Sequence, residues 1–184
     1  MNVYDFDKTI YSGDSTIDFY CFCLLKNPRL VKYLPKQIKG FCQYKLRIIS
    51  KKEFKELFFS FLQDIDDIPD EVCRFWDKNI TKMKDWYLEQ KKEDDVVVSA
   101  SPTFLLQEIC NREGIQHLIA TGVEATTGKF VTENCYGEEK VKRFRETYPD
   151  SIIDNFFSDS KSDEPMAQIA NKAFIVRKSK IKKW

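Results

Sequence analysis

A chain of 184 residues, 42% hydrophobic and 14% aromatic, can bury one sizeable core, alone or with a single insertion. Thirty basic against 29 acidic residues give a formal charge of +1, which excludes a global field for nucleic acid or membrane. No apolar run approaches the roughly 18 residues of a membrane span. Six cysteines (Cys21, Cys23, Cys42, Cys73, Cys110, Cys135) lie mostly among apolar neighbours with no CxxC pattern, so buried free thiols are expected rather than disulfides. Met1 leads at once into a strand, with no apolar signal segment before it, and the expected location is cytoplasmic.

Residues 1–6 predict a strand, and Ser12-Gly13-Asp14-Ser15-Thr16 a turn and helix start. From Ile17 to Leu25 the chain is apolar on every side, which predicts a helix that is buried or sits between layers. After Pro28 and Pro35, helical spacing runs through Ile38, Phe41, Tyr44 and Ile48, then through Phe54, Leu57, Phe58, Phe61 and Leu62. Val72, Phe75, Trp76, Ile80, Met83, Trp86 and Tyr87 predict one long helix. The charged run 91–95 closes this helical stretch, and strands and helices alternate after it. Strands are expected at 96–98, 117–120, 152–157 and 173–176, and helices at 102–112, 138–148 and 164–170. Gly128-Lys129 marks a hairpin within 123–132. The expected fold is α/β: a mostly parallel sheet covered on both faces, formed by 1–13 with 91–184, and an all-helical insertion at 14–90.

The chemistry-bearing stretch is Val3-Tyr4-Asp5-Phe6-Asp7-Lys8-Thr9. A short apolar strand delivers two carboxylates, and residues i and i+2 of a strand share a face. Two such charges repel unless a cation lies between them or one stays protonated. On these residues alone, a pair of solvated turn carboxylates with Thr9 as a helix cap is an equal alternative. Three further pieces follow in order: Val96-Val97-Val98-Ser99, Gly137-Glu138-Glu139-Lys140-Val141, and Phe156-Phe157-Ser158-Asp159-Ser160-Lys161-Ser162-Asp163. In an open α/β sheet, ligands bind beyond the carboxyl ends of the strands, where Asp5, Ser99 and Asp159 all fall.

This ordered set resembles the haloacid dehalogenase (HAD) superfamily of phosphatases, and most closely its phosphoserine-phosphatase-like subfamily with a helical cap. The resemblance implies a Rossmann-like parallel sheet core and a Mg²⁺-dependent phosphomonoester hydrolase working through an aspartyl-phosphate. Asp5 would be the nucleophile and Asp7 the acid and base. Thr9, Ser99, Ala100 and Lys140 would hold phosphate, with Ser101 a rival to Ser99. Asp5, Asp7 through its backbone carbonyl, Asp159 and Asp163 would hold Mg²⁺. The lone histidine, His117, lies in an apolar strand and reads as structural, so zinc chemistry is not expected. Two departures bear on substrate: Ser99-Ala100-Ser101-Pro102 stands where phosphoserine phosphatases carry Ser-Gly-Gly, and Asp14 where they carry a glutamate for the substrate amine. Ser158 also replaces the usual glycine of the closing motif.

The helical insertion is divided by charge. From Ser15 to Lys52 there are nine basic residues (Lys26, Arg29, Lys32, Lys36, Lys39, Lys45, Arg47, Lys51, Lys52) against Asp18 alone. From Glu53 to Glu71 there are seven acidic residues against Lys55. Mutual attraction of the two halves is the preferred reading. The sharper one is that the basic half, with Phe19, Phe22, Tyr33, Phe41 and Tyr44 among its charges, faces a polyanionic or lipid-phosphate substrate; such a half can also lie on an anionic membrane surface. The expected partner is a small-molecule or lipid-linked phosphate, with no nucleic acid. A phosphotransferase on the same scaffold and a non-enzymatic anionic-ligand binder are the alternatives.

Overall fold

The computed structural model describes all 184 residues, Met1–Trp184. Its sheet holds six strands in the order β3-β2-β1-β4-β5-β6. They are β1 (Asn2–Tyr4), β2 (Val96–Pro102), β3 (His117–Thr121), β4 (Ile153–Ser158), β5 (Ala170–Arg177) and β6 (Lys180–Lys183). The first five pair parallel, and only β6 runs antiparallel, against β5. Chain order reverses at β1, which pairs with β2 on one side and β4 on the other. That reversal opens a crevice beyond the carboxyl end of β1.

Alternate strand residues serve opposite faces. Tyr4, Val97 and Phe157 enter a large apolar cluster with Phe6, Phe75 and Trp76. Val3, Val96, Val98 and Phe156 enter a second cluster beneath α7 (Glu138–Thr147) and α8 (Glu164–Gln168). The first cluster runs unbroken from sheet to insertion. Trp76, fully buried on α4 (Ile68–Asn79), meets Phe6 and Tyr11 edge-on and donates its Nε1–H to Leu105 O at 2.7 Å on α6 (Thr103–Arg112).

The rest of the insertion consists of α1 (Ser15–Lys26), α2 (Leu34–Lys45) and α3 (Lys51–Phe59), with 3-10 turns between. Here α1 sits between helical layers, with Tyr20 against Phe58 and Phe61 on one side. It packs on α4 through Phe19 and Phe22 against Phe75, and leaves Ile17 and Leu25 exposed. The expected long helix is broken. It ends at Asn79, passes through a 3-10 turn at Ile80–Lys82, and resumes as the short α5 (Asp85–Leu88). The break is tertiary in origin. Met83 bridges Tyr11, Ser12 N–H donates to Lys82 O, and Lys84 N–H to Ile10 O, so these groups leave the helical ladder to tie the outgoing and returning chains. The crossing thus lies at Met83, and α5 sits on the sheet with Trp86 and Tyr87 against Tyr4.

The expected hairpin at 123–132 is reduced to one bridge, Val123 to Phe130. Its Gly128 is required, because φ is +74° and a Cβ would fall 2.5 Å from Phe59 O. Strand β6 was not legible in Lys180-Ile181-Lys182-Lys183, since an edge strand guarded by lysines looks like a polar tail. All six cysteines are free, but only Cys23, Cys110 and Cys135 are buried. No helix is long and apolar enough to cross a membrane.

Candidate active site

At the carboxyl end of β1 the chain turns sharply. Lys8 takes φ 60°, a conformation disfavoured for a residue with a side chain, and its carbonyl accepts from the buried Lys84 ammonium. The turn separates the two carboxylates that a straight strand would bring together. Asp5 faces inward, with Oδ1 accepting from Lys140 Nζ at 2.6 Å and Oδ2 from Thr9 Oγ1 at 3.0 Å. Asp7 is turned toward the helical insertion. Its Oδ1 accepts from Ser15 N–H at 2.6 Å, the start of α1, and its Oδ2 from Ser101 Oγ at 2.5 Å.

Lys140 is aimed by Gly137, whose φ of 59° and ψ of −125° suit only glycine at the entry to α7. Its ammonium is 2% exposed and donates also to Asp163 Oδ2 at 2.8 Å, which Ser158 Oγ reaches at 2.7 Å. Burial opposes the charge on Lys140, but Asp5 and Asp163 outweigh it and hold the pKa above the ordinary lysine value. Burial raises Asp5 to about 7, against the pull of Lys140. Asp7 is raised by burial first and the charge of Asp14 second, while Ser101 and Ser15 work against the shift. Asp159 is raised chiefly by burial.

A cavity of about 600 Å³ opens over these groups. Asp5, Asp7, Asp14, Lys140, Asp159 and Asp163 line it, as does Ala100. Two expected phosphate holders do not. Thr9 is fully buried and ties the site together, donating to Asp5 and accepting from Asp159 N–H at 2.9 Å. Ser99 is buried with its Oγ accepting from Ser101 N–H, and it is Ser101 that reaches the wall. The register shift between Val98 and Pro102 accompanies that exchange. Asp14 caps α1 through Ile17 N–H, leaving its second carboxylate oxygen 4.0 Å from Lys8. His117 is away from the wall, edge-on to Tyr148.

The sequence reading missed the opposite wall. Along α3, Lys51, Phe54, Lys55 and Phe58 recur at helical spacing and all face the cavity. Two lysines in register with two phenylalanines were the available signal. Lys51 stands over the Tyr136 ring at 3.1 Å, and Lys55 donates to Ala100 O at 2.8 Å and Asn134 Oδ1 at 2.9 Å. Burial lowers Lys55 to about 8. A lysine with a lowered native pKa costs stability below that pKa, and the cost fades as pH rises toward the unfolded value near 10.5. The wild type should therefore gain on the order of 3 kcal/mol relative to Lys55→Met between pH 8 and 10.5. Urea unfolding of both proteins across that range checks this, and parallel pH curves would contradict it.

The acidic wall offers hard oxygen donors and neither thiol nor imidazole, the chemistry that suits Mg²⁺. Of Asp5, Asp7, Asp159 and Asp163, only the Asp159 carboxylate takes no hydrogen bond, which leaves it free for a cation. As they stand, no three acidic, histidine or cysteine side chains are grouped closely enough to hold a metal, since Lys140 lies between Asp5 and Asp163. The donor types fit the ion, although the ligand set is not preassembled.

The fold is shared with solved structures of low sequence identity. A Bordetella pertussis protein of unknown function superposes with a TM-score of 0.75 at 18% identity, covering 94% of this chain and 87% of that one. A phosphoserine phosphohydrolase-like protein from Francisella tularensis gives 0.56 at 17%, covering 94% and 86%. A phospho-aspartyl intermediate analogue of phosphoserine phosphatase gives 0.50 at 15%, covering 93% and 83%. No curated protein matches the chain in sequence. The model of the family described as haloacid dehalogenase-like hydrolase matches residues 3–168, from the strand that leads into Asp5 to the end of α8. The chain belongs to the haloacid dehalogenase-like hydrolases.

Proposed function

We propose that the protein is a Mg²⁺-dependent phosphatase that hydrolyses phosphomonoesters through an aspartyl-phosphate on Asp5. The observation that carries this reading is the buried Asp5–Lys140–Asp163 arrangement on the cavity wall, with Asp7 beside it and turned toward the insertion. The solved phosphoserine phosphatase carrying a phospho-aspartyl analogue supports it by likeness of fold.

A carboxylate oxygen of Asp5 attacks phosphorus, and the bond from phosphorus to the ester oxygen breaks. Asp7, whose pKa is raised by burial, gives its proton to the departing alkoxide. Asp7 then takes a proton from the water that attacks phosphorus, and breaking the bond to Asp5 restores the carboxylate. Lys140 neutralises charge at the phosphoryl oxygens, and Ser101 with the Ala100 backbone borders the same space. Asp5, the Asp7 carbonyl and Asp159 would hold the Mg²⁺, with Asp163 adjacent, and the ion would neutralise phosphoryl oxygens in the transition state.

The division into a core and a cap belongs to this proposal, with the cap's second boundary at the Tyr11–Met83 crossing rather than at residue 90, because α5 packs on the sheet. The cap closes over the phosphoenzyme to limit water, with the paired crossing at Tyr11 and Met83 as its base. The substrate is a small-molecule or lipid-linked phosphate. Phosphoserine is disfavoured, because Asp14 is engaged as the α1 cap and the facing wall presents Phe54 and Phe58. Phosphate release from a soluble aryl phosphate is expected with Mg²⁺, to fall to background with chelator and to return on adding the ion. Release unaffected by chelator would overturn the metal requirement.

A further inference from the structure

Most basic residues of the insertion do not pair with its acidic half. Lys26 reaches Glu71 and Lys32 reaches Asp64, while Lys52 pairs with Glu133 outside the insertion. Lys51 turns into the cavity. Lys36, Lys39, Lys45 and Arg47 are exposed and form no ion pair, and no acidic residue lies between Phe19 and Lys52.

The same segment exposes apolar side chains that a solvated surface would not favour. Gln37, Gly40 and Tyr44 turn α2 inward, Gly40 against Leu57 and Tyr44 stacked on Phe54. Ile38 points out from the same helix, Phe41 is half-exposed with its ring edge-on to Phe54, and beyond the helix end Leu46 and Ile48 are 71% and 64% exposed. Between these two lies Arg47 at φ 58°, where a helix end ordinarily takes glycine. A turn with an arginine in a left-handed conformation, between two exposed aliphatic residues, is a poor solvent loop. It matches a tip whose aliphatic groups enter hydrocarbon while the cations meet lipid phosphates. Phe41 belongs both to this face and to the cavity lining, so the face adjoins the mouth of the site. Exposed Ile38, Leu46 and Ile48 favour lipid over nucleic acid, which offers cations no apolar counterpart.

We propose that α2 and the turn to α3 dock on the surface of an anionic lipid bilayer, setting the cavity mouth at the headgroup level. The docking does not depend on the catalytic reading. The full chain is sedimented with phosphatidylcholine vesicles, with and without phosphatidylglycerol, at low and high salt. Sedimentation is expected with the anionic vesicles alone and should weaken at high salt. Lys39→Glu/Lys45→Glu/Arg47→Glu should lower the partition about 100-fold or more, and Leu46→Ser/Ile48→Ser about 100-fold. Unchanged thermal unfolding midpoints show that both variants are folded. Equal sedimentation with both vesicle types, none with either, or variants that behave as wild type would overturn the proposal. So would capture of a duplex oligonucleotide that the charge-reversed protein loses and Leu46→Ser/Ile48→Ser retains.

Discussion

Lys140→Met should destabilise the protein by about 3–5 kcal/mol and reduce turnover at least about 1,000-fold. The ammonium is the one cation in contact with both Asp5 and Asp163, at 2.6 and 2.8 Å. Removing it leaves two buried carboxylates without a counter-charge, so the cost is that of stranded anions rather than of one lost contact. Burial already raises the Asp5 pKa, and without the ammonium that opposes the shift it rises further. The destabilisation is therefore largest above that raised value and shrinks as pH falls and Asp5 takes up a proton. Adding Asp163→Asn should recover part of the stability and none of the activity. Urea unfolding with phosphate release on the same preparations measures both, and a stability change below about 1 kcal/mol would contradict the assignment.

Asp7→Asn should lower kcat/KM by about 100- to 10,000-fold while leaving the fold intact. Asparagine can still accept from Ser15 N–H and can donate to Ser101 Oγ, so both tethers survive. What is lost is a proton donor. The loss should then depend on the leaving group, larger for an alkyl phosphate, whose alkoxide needs the proton, than for a nitrophenyl phosphate, whose phenolate does not. Equal losses in kcat/KM for the two esters would remove Asp7 from the acid role.

Asp5, Asp7, Lys140, Asp159 and Asp163 were singled out in the sequence by four short motifs in the order that the haloacid dehalogenase family carries, while the short apolar runs mark only the strand ends beside Asp5 and Asp159. Their meeting on one wall follows from a parallel sheet that reverses order at β1. Ser99 and Thr9 show where this reasoning stops. Both sit at the expected points in the chain, but neither lines the cavity: Ser99 Oγ accepts from Ser101 N–H, and Thr9 Oγ1 links Asp5 to Asp159 N–H. Lys51 and Lys55 were hidden by the opposite effect, since cations on a charged helix look solvated until the packing of Phe54 and Phe58 fixes which face turns inward. The break at Met83 was invisible for a related reason. Local propensity favours a continuous helix there, and only the hydrogen bonds to Ile10 and Ser12 end it.

The most direct test of the catalytic account is to locate the phosphoryl group on the protein during turnover. Wild-type protein with Mg²⁺ and an excess of aryl phosphate is quenched in acid, digested and weighed peptide by peptide, beside Asp5→Asn. The expected result is one phosphoryl group on the N-terminal peptide, confined to Asp5 and labile to hydroxylamine, with none on Asp5→Asn and no phosphate release by it. A phosphoryl group on another residue, or phosphate release by Asp5→Asn at the wild-type rate, would contradict the account.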